Sequence, residues 1–187
     1  MKQELLIGIT ESGVMHTDAD PPIPLDTKFQ MVKESGVYDY FDKTPPLELE
    51  DDYRRCSEKY ELPILAGGWF YVLGRDEDLL MENLRLGARL GSLVHNTQIM
   101  MDHQDGSLVS DEQVVEIYLR AYETGEACGC RPTFEVHVNM WSEDFRRIEK
   151  VADLVEKTGD PISDDTGPFP CHFQNRQSPR AGSLQHP

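Results

Sequence analysis

Five times along the chain, a short apolar or alternating run gives way to a stretch whose apolar positions recur every three or four residues. The first pattern suits a strand and the second an amphipathic helix. Residues 5–10 are expected to form a buried strand, and residues 37–41, 63–72, 93–101 and 133–140 four more. Phe29, Met31 and Val32 belong to a helix that Asp26 is expected to cap and Gly36 to end. Tyr53, Cys56 and Tyr60 space a helix over 48–60, and Leu79, Leu80, Leu84 and Ala88 line another between a capping Asp76 and Gly91. Ser110 and Gln113 have capping-box spacing ahead of Val114, Ile117, Leu119 and Tyr122. Ser142 is placed to cap a last helix, with Phe145, Ile148, Val151, Leu154 and Val155 facing inward. Gly67 and Gly68 interrupt the third strand, where a bulge or a close backbone approach is expected.

Strands alternating with helices argue for a parallel sheet with helical crossovers. Two α/β architectures fit. One is a (β/α)8 barrel that is incomplete at about five β/α units, since a repeat of about 32 residues would need roughly 250 for eight. The other is a flavodoxin-like, five-stranded doubly wound sheet. No Gly-x-Gly-x-x-Gly, Gly-x-x-x-x-Gly-Lys-Ser/Thr or Gly-x-Ser-x-Gly occurs. That weakens dinucleotide, nucleotide-triphosphate and hydrolase readings, and with them the functional case for the doubly wound sheet.

The chain has 187 residues, enough to bury about 70% of its unfolded surface around one core. With 34 acidic against 18 basic residues its net charge is −16, a field that repels a phosphate backbone, so nucleic acid is not an expected partner. Cys56, Cys128, Cys130 and Cys171 show no disulfide framework, and Cys128-Gly129-Cys130 is too tight for a usual zinc pair. Without a signal-peptide pattern or a span-length apolar run, a soluble cytoplasmic protein with no membrane partner is expected. Residues 1–160 read as the barrel and 161–187 as an atypical, irregular tail. No Asp or Glu occurs over residues 166–187, which suits either a natural flexible ending or a truncated or frame-shifted reading frame.

The fifth strand carries the most chemistry. Alternation puts Phe134, Val136 and Val138 on one face and Glu135, His137 and Asn139 on the other. A carboxylate, an imidazole and an amide in a row are ligand and acid–base types, at the strand end where α/β folds build their sites. A solvated strand face would alternate too.

Residues 96–157, and above all Phe134-Glu135-Val136-His137-Val138-Asn139, resemble the xylose-isomerase-like superfamily of TIM barrels, which includes sugar and sugar-phosphate isomerases and epimerases. The resemblance implies that Glu135 ligates a divalent metal (Mn²⁺, Mg²⁺, Co²⁺ or Zn²⁺) and that Asp165, in Asp164-Asp165-Thr166-Gly167, supplies a second ligand. Pro168 stands where relatives carry a His, and His137 lies two residues beyond Glu135 rather than in an Asn-His pair directly after it. The implied activity is a metal-dependent isomerisation or epimerisation of a small sugar-like substrate, with proton transfer beside a metal-polarised carbonyl.

Other candidates sit near expected strand ends. Asp102 and His103 follow the fourth strand and suit substrate binding and acid–base work, though Asp102 and His103 equally suit a turn at Gly106. His95 reads as a hydrogen-bonded core or rim residue. Glu11 and His16 follow the first strand, where His16 is a substrate-binding candidate. Trp69 and Phe70 offer an apolar wall for a sugar face, or plain core. Three functions remain open: the isomerase or epimerase; a non-catalytic partial barrel, or one completed in a homo-oligomer through its open edges; and a flavodoxin-like binding domain.

Overall fold

The computed structural model describes residues 5–14 and 21–158. Its elements run β1 (Gly8–Thr10), α1 (Leu25–Ser35), β2 (Tyr40–Asp42), α2 (Glu50–Tyr60), β3 (Ile64–Tyr71), α3 (Glu77–Leu90), β4 (Val94–Ile99), α4 (Asp111–Cys128), β5 (Arg131–Phe134) and α5 (Phe145–Thr158). All five strand–helix units predicted from the hydrophobic pattern are present. Gly36 and Gly91 end α1 and α3 in the left-handed conformation, and the Ser110–Gln113 capping box closes the start of α4 in both directions.

Three caps differ from expectation. Pro24 precedes α1, while Asp26 sits in its first turn and binds Lys59 and Tyr60 of α2. Asp76 stands at the N-cap of α3, but its carboxylate turns back to the Val72 N–H and to Arg75. Ser142 does not cap α5; its hydroxyl donates to the Glu135 carbonyl.

The strands are parallel and ordered β1-β2-β3-β4-β5, each paired with its neighbour in sequence. A doubly wound sheet must reverse its order at a switch point, so this order rules out the flavodoxin-like alternative. With right-handed crossovers, an unreversed order puts every helix on the same side of the sheet. Consecutive helices accordingly pack against one another from α1 to α5. The opposite face carries no helix among the described residues and corresponds to the inner face of a barrel wall.

The core lies between helices and sheet in two clusters. Phe29, Val32, Phe41, Tyr53 and Ile64 pack under α1 and α2, with the Phe29 and Phe41 rings stacked at 4.4 Å. Leu80, Leu84, Ile99, Val114, Tyr118, Phe134, Trp141, Val151 and Val155 pack under α3 to α5. Of the last helix's predicted inward residues, Val151 and Val155 are buried, whereas Phe145 at its start is exposed. Among the described residues no helix is long and apolar enough to cross a membrane. The predicted tail over 161–187 lies outside the described residues.

Candidate functional site

Strand alternation sorts the side chains onto two faces. On β4, His95, Thr97 and Ile99 are buried beneath the helices, so Asn96 and Gln98 project from the inner face. The register pairs Gly68 with Asn96 and Phe70 with Gln98, which puts Phe70 on that inner face also. Gly68 is needed there: a Cβ on it would lie 2.9 Å from the Asn96 carbonyl. Asp42, at the end of β2 and paired with Ala66, belongs to the same face.

The ladder between β4 and β5 closes with the Glu135 N–H donating to the Thr97 carbonyl at 3.1 Å. The chain then leaves the sheet. Asn139 has φ 62°, and Met140 turns back to bridge Met100. The fifth strand therefore ends at Phe134 instead of running to residue 140. Glu135 still faces inward, because it is one position past the ladder's last pair, Thr97 with Phe134. Its Oε2 accepts from the Asn96 amide at 2.7 Å and from the Gln98 amide. The other amide atom of Gln98, its carbonyl Oε1, is buried and has no hydrogen-bond partner. A buried acceptor without a donor is uncommon and marks a place where an electropositive group fits.

Glu135 has company. Burial pushes the Asp42 carboxyl above its ordinary range, and the charge of Glu135 adds to the push, while Lys43 offsets part of it. The two carboxylates lie four residues apart in register, yet they sense each other. Barrel strands are tilted, with a stagger of about one residue per strand. The three steps from β2 to β5 absorb most of the offset, so both reach a similar height on the inner wall.

A second polar group occupies the rim. Glu11, just past β1, accepts from Lys28 at 2.7 Å and the Tyr53 hydroxyl at 2.8 Å, and pairs with Lys43 at 2.9 Å. Burial by itself would raise Glu11, but the bonds from Lys28, Lys43 and Tyr53 prevail and hold it down at about 2. The Lys43 ammonium also lies 5.8 Å from the centre of the Trp69 ring.

The other predicted site residues are dispersed. His137 is exposed, and its Nδ1 contacts the Val138 carbonyl at 2.8 Å; once the strand ends at Phe134, alternation no longer aligns it with Glu135. Trp69 is paired with Thr97 and so takes the face opposite Gln98; of the predicted aromatic wall, only Phe70 looks inward. Asp102 is exposed and bridges Leu108 across a tight turn through Gly106. His103 pairs with Asp105 at 3.1 Å and lines a cleft of about 230 Å³ with Leu73, Glu77, Gln113, Ile117 and Arg120, above the first turns of α3 and α4. Glu135 does not line that cleft. His16 and Asp165 lie outside the described residues.

Asp42 and Gln98 went unnoticed in the sequence. A polar residue closing a short strand (Tyr40-Phe41-Asp42) and the alternate pair Asn96-x-Gln98 were the available signals. Neither stands out without knowing which face turns away from the helices.

No protein-family model matches the chain, and no curated protein matches it in sequence. Solved structures do match in shape. A family 2 AP endonuclease from Brucella melitensis superposes with a TM-score of 0.59 at 12% identity, covering 88% of this chain and 77% of that one. The IolI protein, solved with a bound zinc atom, superposes with a TM-score of 0.55 at 15% identity, covering 81% of this chain and 59% of its own. The fold is a partial TIM barrel. It spans less than two thirds of the length of IolI. At these identities the likeness concerns the fold.

Proposed function

We propose that this chain carries the proton-transfer half of a divalent-metal-dependent isomerase or epimerase acting on a small sugar-like substrate. One observation carries the reading: on the inner barrel face, two amides grip the Glu135 carboxylate, and a second carboxyl, Asp42, lies within its field.

The donors bear on which metal fits. Among the described residues no three His, Cys, Asp or Glu side chains come together as a cage. Glu135 and the unpaired Gln98 Oε1 are both hard oxygen donors, and among the described residues no imidazole contacts them. That set suits Mg²⁺ or Mn²⁺, which accept one or two carboxylates and keep several waters, better than Zn²⁺ or Co²⁺, which favour imidazole. The zinc of IolI belongs to that protein. Glu135 and Gln98 would hold the cation, with the remaining positions left to water and substrate oxygens.

A cation held there supplies polarisation of a substrate carbonyl or hydroxyl oxygen. Asp42 then moves the proton on the carbon beside that oxygen. A base works best when its pKa approaches the working pH, and burial shifts Asp42 in that direction, with the Glu135 charge adding to it in the metal-free protein. Phe70 offers its ring to the apolar face of the substrate. The acidic balance of the chain disfavours nucleic acid as substrate.

Deuterium exchange tests the reading directly. A panel of aldoses and ketoses is incubated with the protein and Mn²⁺ in D₂O, and exchange at the carbon next to the carbonyl is followed by NMR. Exchange that disappears in Asp42→Asn, with Mn²⁺ binding that disappears in Glu135→Gln, supports it. Wild-type protein that neither binds Mn²⁺ nor exchanges any substrate proton refutes it.

A further inference from the structure

On the helix side of the sheet, directly behind the candidate site, four polar side chains form a buried relay. The Asn83 amide of α3 donates to the Tyr71 hydroxyl at 2.9 Å. The Tyr71 oxygen lies 2.7 Å from His95 Nε2, and His95 Nδ1 lies 3.2 Å from the Thr44 hydroxyl. His95 is 1% exposed and Thr44 3%. Because Tyr71 already accepts from Asn83, its own proton is free to go to His95 Nε2. That leaves the imidazole proton on Nδ1, pointing at the Thr44 oxygen. Burial lowers His95 to about 4, so the ring stays neutral and this single tautomer persists at ordinary pH.

The relay joins strands that are not neighbours. Thr44 follows β2 two residues after Asp42, and His95 precedes Asn96 on β4, with β3 between them. The link crosses β3 at Gly67, where any Cβ would fall 2.2 Å from the Thr44 hydroxyl oxygen. The adjacent Gly68 makes the matching clearance for Asn96 on the inner face. One glycine pair thus opens both faces of β3, one for the tie and one for the site.

We propose that His95 is a positioning residue: by clamping Thr44 across Gly67 it fixes the strand bearing Asp42 relative to the strand bearing Asn96 and Gln98, and so sets the spacing of the two carboxyl groups. The clamp itself is independent of any ligand; its consequence for turnover rests on the function proposed above.

Thr44→Val keeps the shape and removes the acceptor. Its effect is read first in metal-free protein, from the side-chain amide resonances of Asn96 and Gln98, which report their bonds to Glu135. Both are expected to move by several linewidths, with the Trp141 indole resonance unmoved, and Thr44→Ser is expected to restore them. Gly67→Ala, which pushes Thr44 aside, should move the same two amides. In the exchange assay kcat should fall on the order of tenfold to a hundredfold with KM little changed, as for a misaimed base. A Thr44→Val protein that melts earlier but keeps both amides in place would make His95 an ordinary core residue and overturn the proposal. Shifted amides in a protein whose wild type exchanges no substrate proton would instead uphold the clamp and remove the isomerase reading.

Discussion

Asn96 reaches across from β4 to donate to Glu135 at 2.7 Å, holding that carboxylate on the inner wall just where the β5 ladder runs out. Beyond Glu135 the backbone turns away, so the orientation of its carboxylate depends on this bond and the one from Gln98. Asn96→Leu removes the donor without adding charge. Partners that orient a metal ligand are commonly worth 10- to 100-fold in affinity. Calorimetric titration with Mn²⁺ is expected to show a loss in that range with the circular dichroism spectrum unchanged.

Asp42 is predicted to matter for turnover and to burden the fold. General bases contribute about 10²- to 10⁴-fold, so Asp42→Asn should lower the exchange rate by that order while Mn²⁺ still binds. Because burial and the charge of Glu135 disfavour its ionised form, the same variant should melt higher than wild type at neutral pH. The gain should fade as the pH falls through the raised folded-state value and be gone below the ordinary aspartate range, where Asp42 is protonated folded or unfolded. A variant that melts lower than wild type at pH 7 would contradict this assignment.

The Glu11 cluster makes stability fall in acid. Its folded-state pKa of about 2 lies below the ordinary 4.5, so between those values the unfolded chain binds more protons than the native one. Its contribution is fully present above the ordinary value and is lost as the pH drops toward 2. At 1.36 kcal/mol per pKa unit, the shift corresponds to about 3 kcal/mol as an upper bound. Urea melts from pH 5 to pH 2.5 should show a steeper loss for wild type than for Glu11→Gln.

Asp111 docks the last helix. Although 7% exposed, it accepts from the Trp141 indole at 3.2 Å, from Arg147 at 2.7 Å and from Lys150 at 2.6 Å. Asp111→Ala would leave the buried indole N–H without its acceptor and Arg147 without its counter-charge. Both cations reach solvent, so the main cost is the unsatisfied buried indole N–H, about 1–3 kcal/mol. Chemical denaturation should report a loss of that size, and hydrogen exchange should show α5 opening first.

The period of the hydrophobic pattern was enough to place five strands and five helices in order, and Gly36, Gly91 and the Ser110–Gln113 pair marked helix ends closely, because those signals are set by neighbours three or four residues apart. Local alternation likewise put Glu135 on the strand face opposite Phe134, although it carried that strand on to residue 140. Tertiary structure decided the rest. The unreversed strand order, which separates a barrel wall from a doubly wound sheet, depends on which strands meet across crossovers of some thirty residues. His137 was lost to the site because β5 leaves the sheet at Phe134, opposite Thr97 and two residues short of the end of β4, a limit no local pattern records. Asp42 and Gln98 joined it because strand tilt and register bring residues from β2 and β4 to the height of Glu135. Propensity and periodicity act over a few residues, whereas the choice of facing side chains is made by packing between segments 37 to 93 positions apart, a distance over which the amino-acid order alone carries no geometric signal.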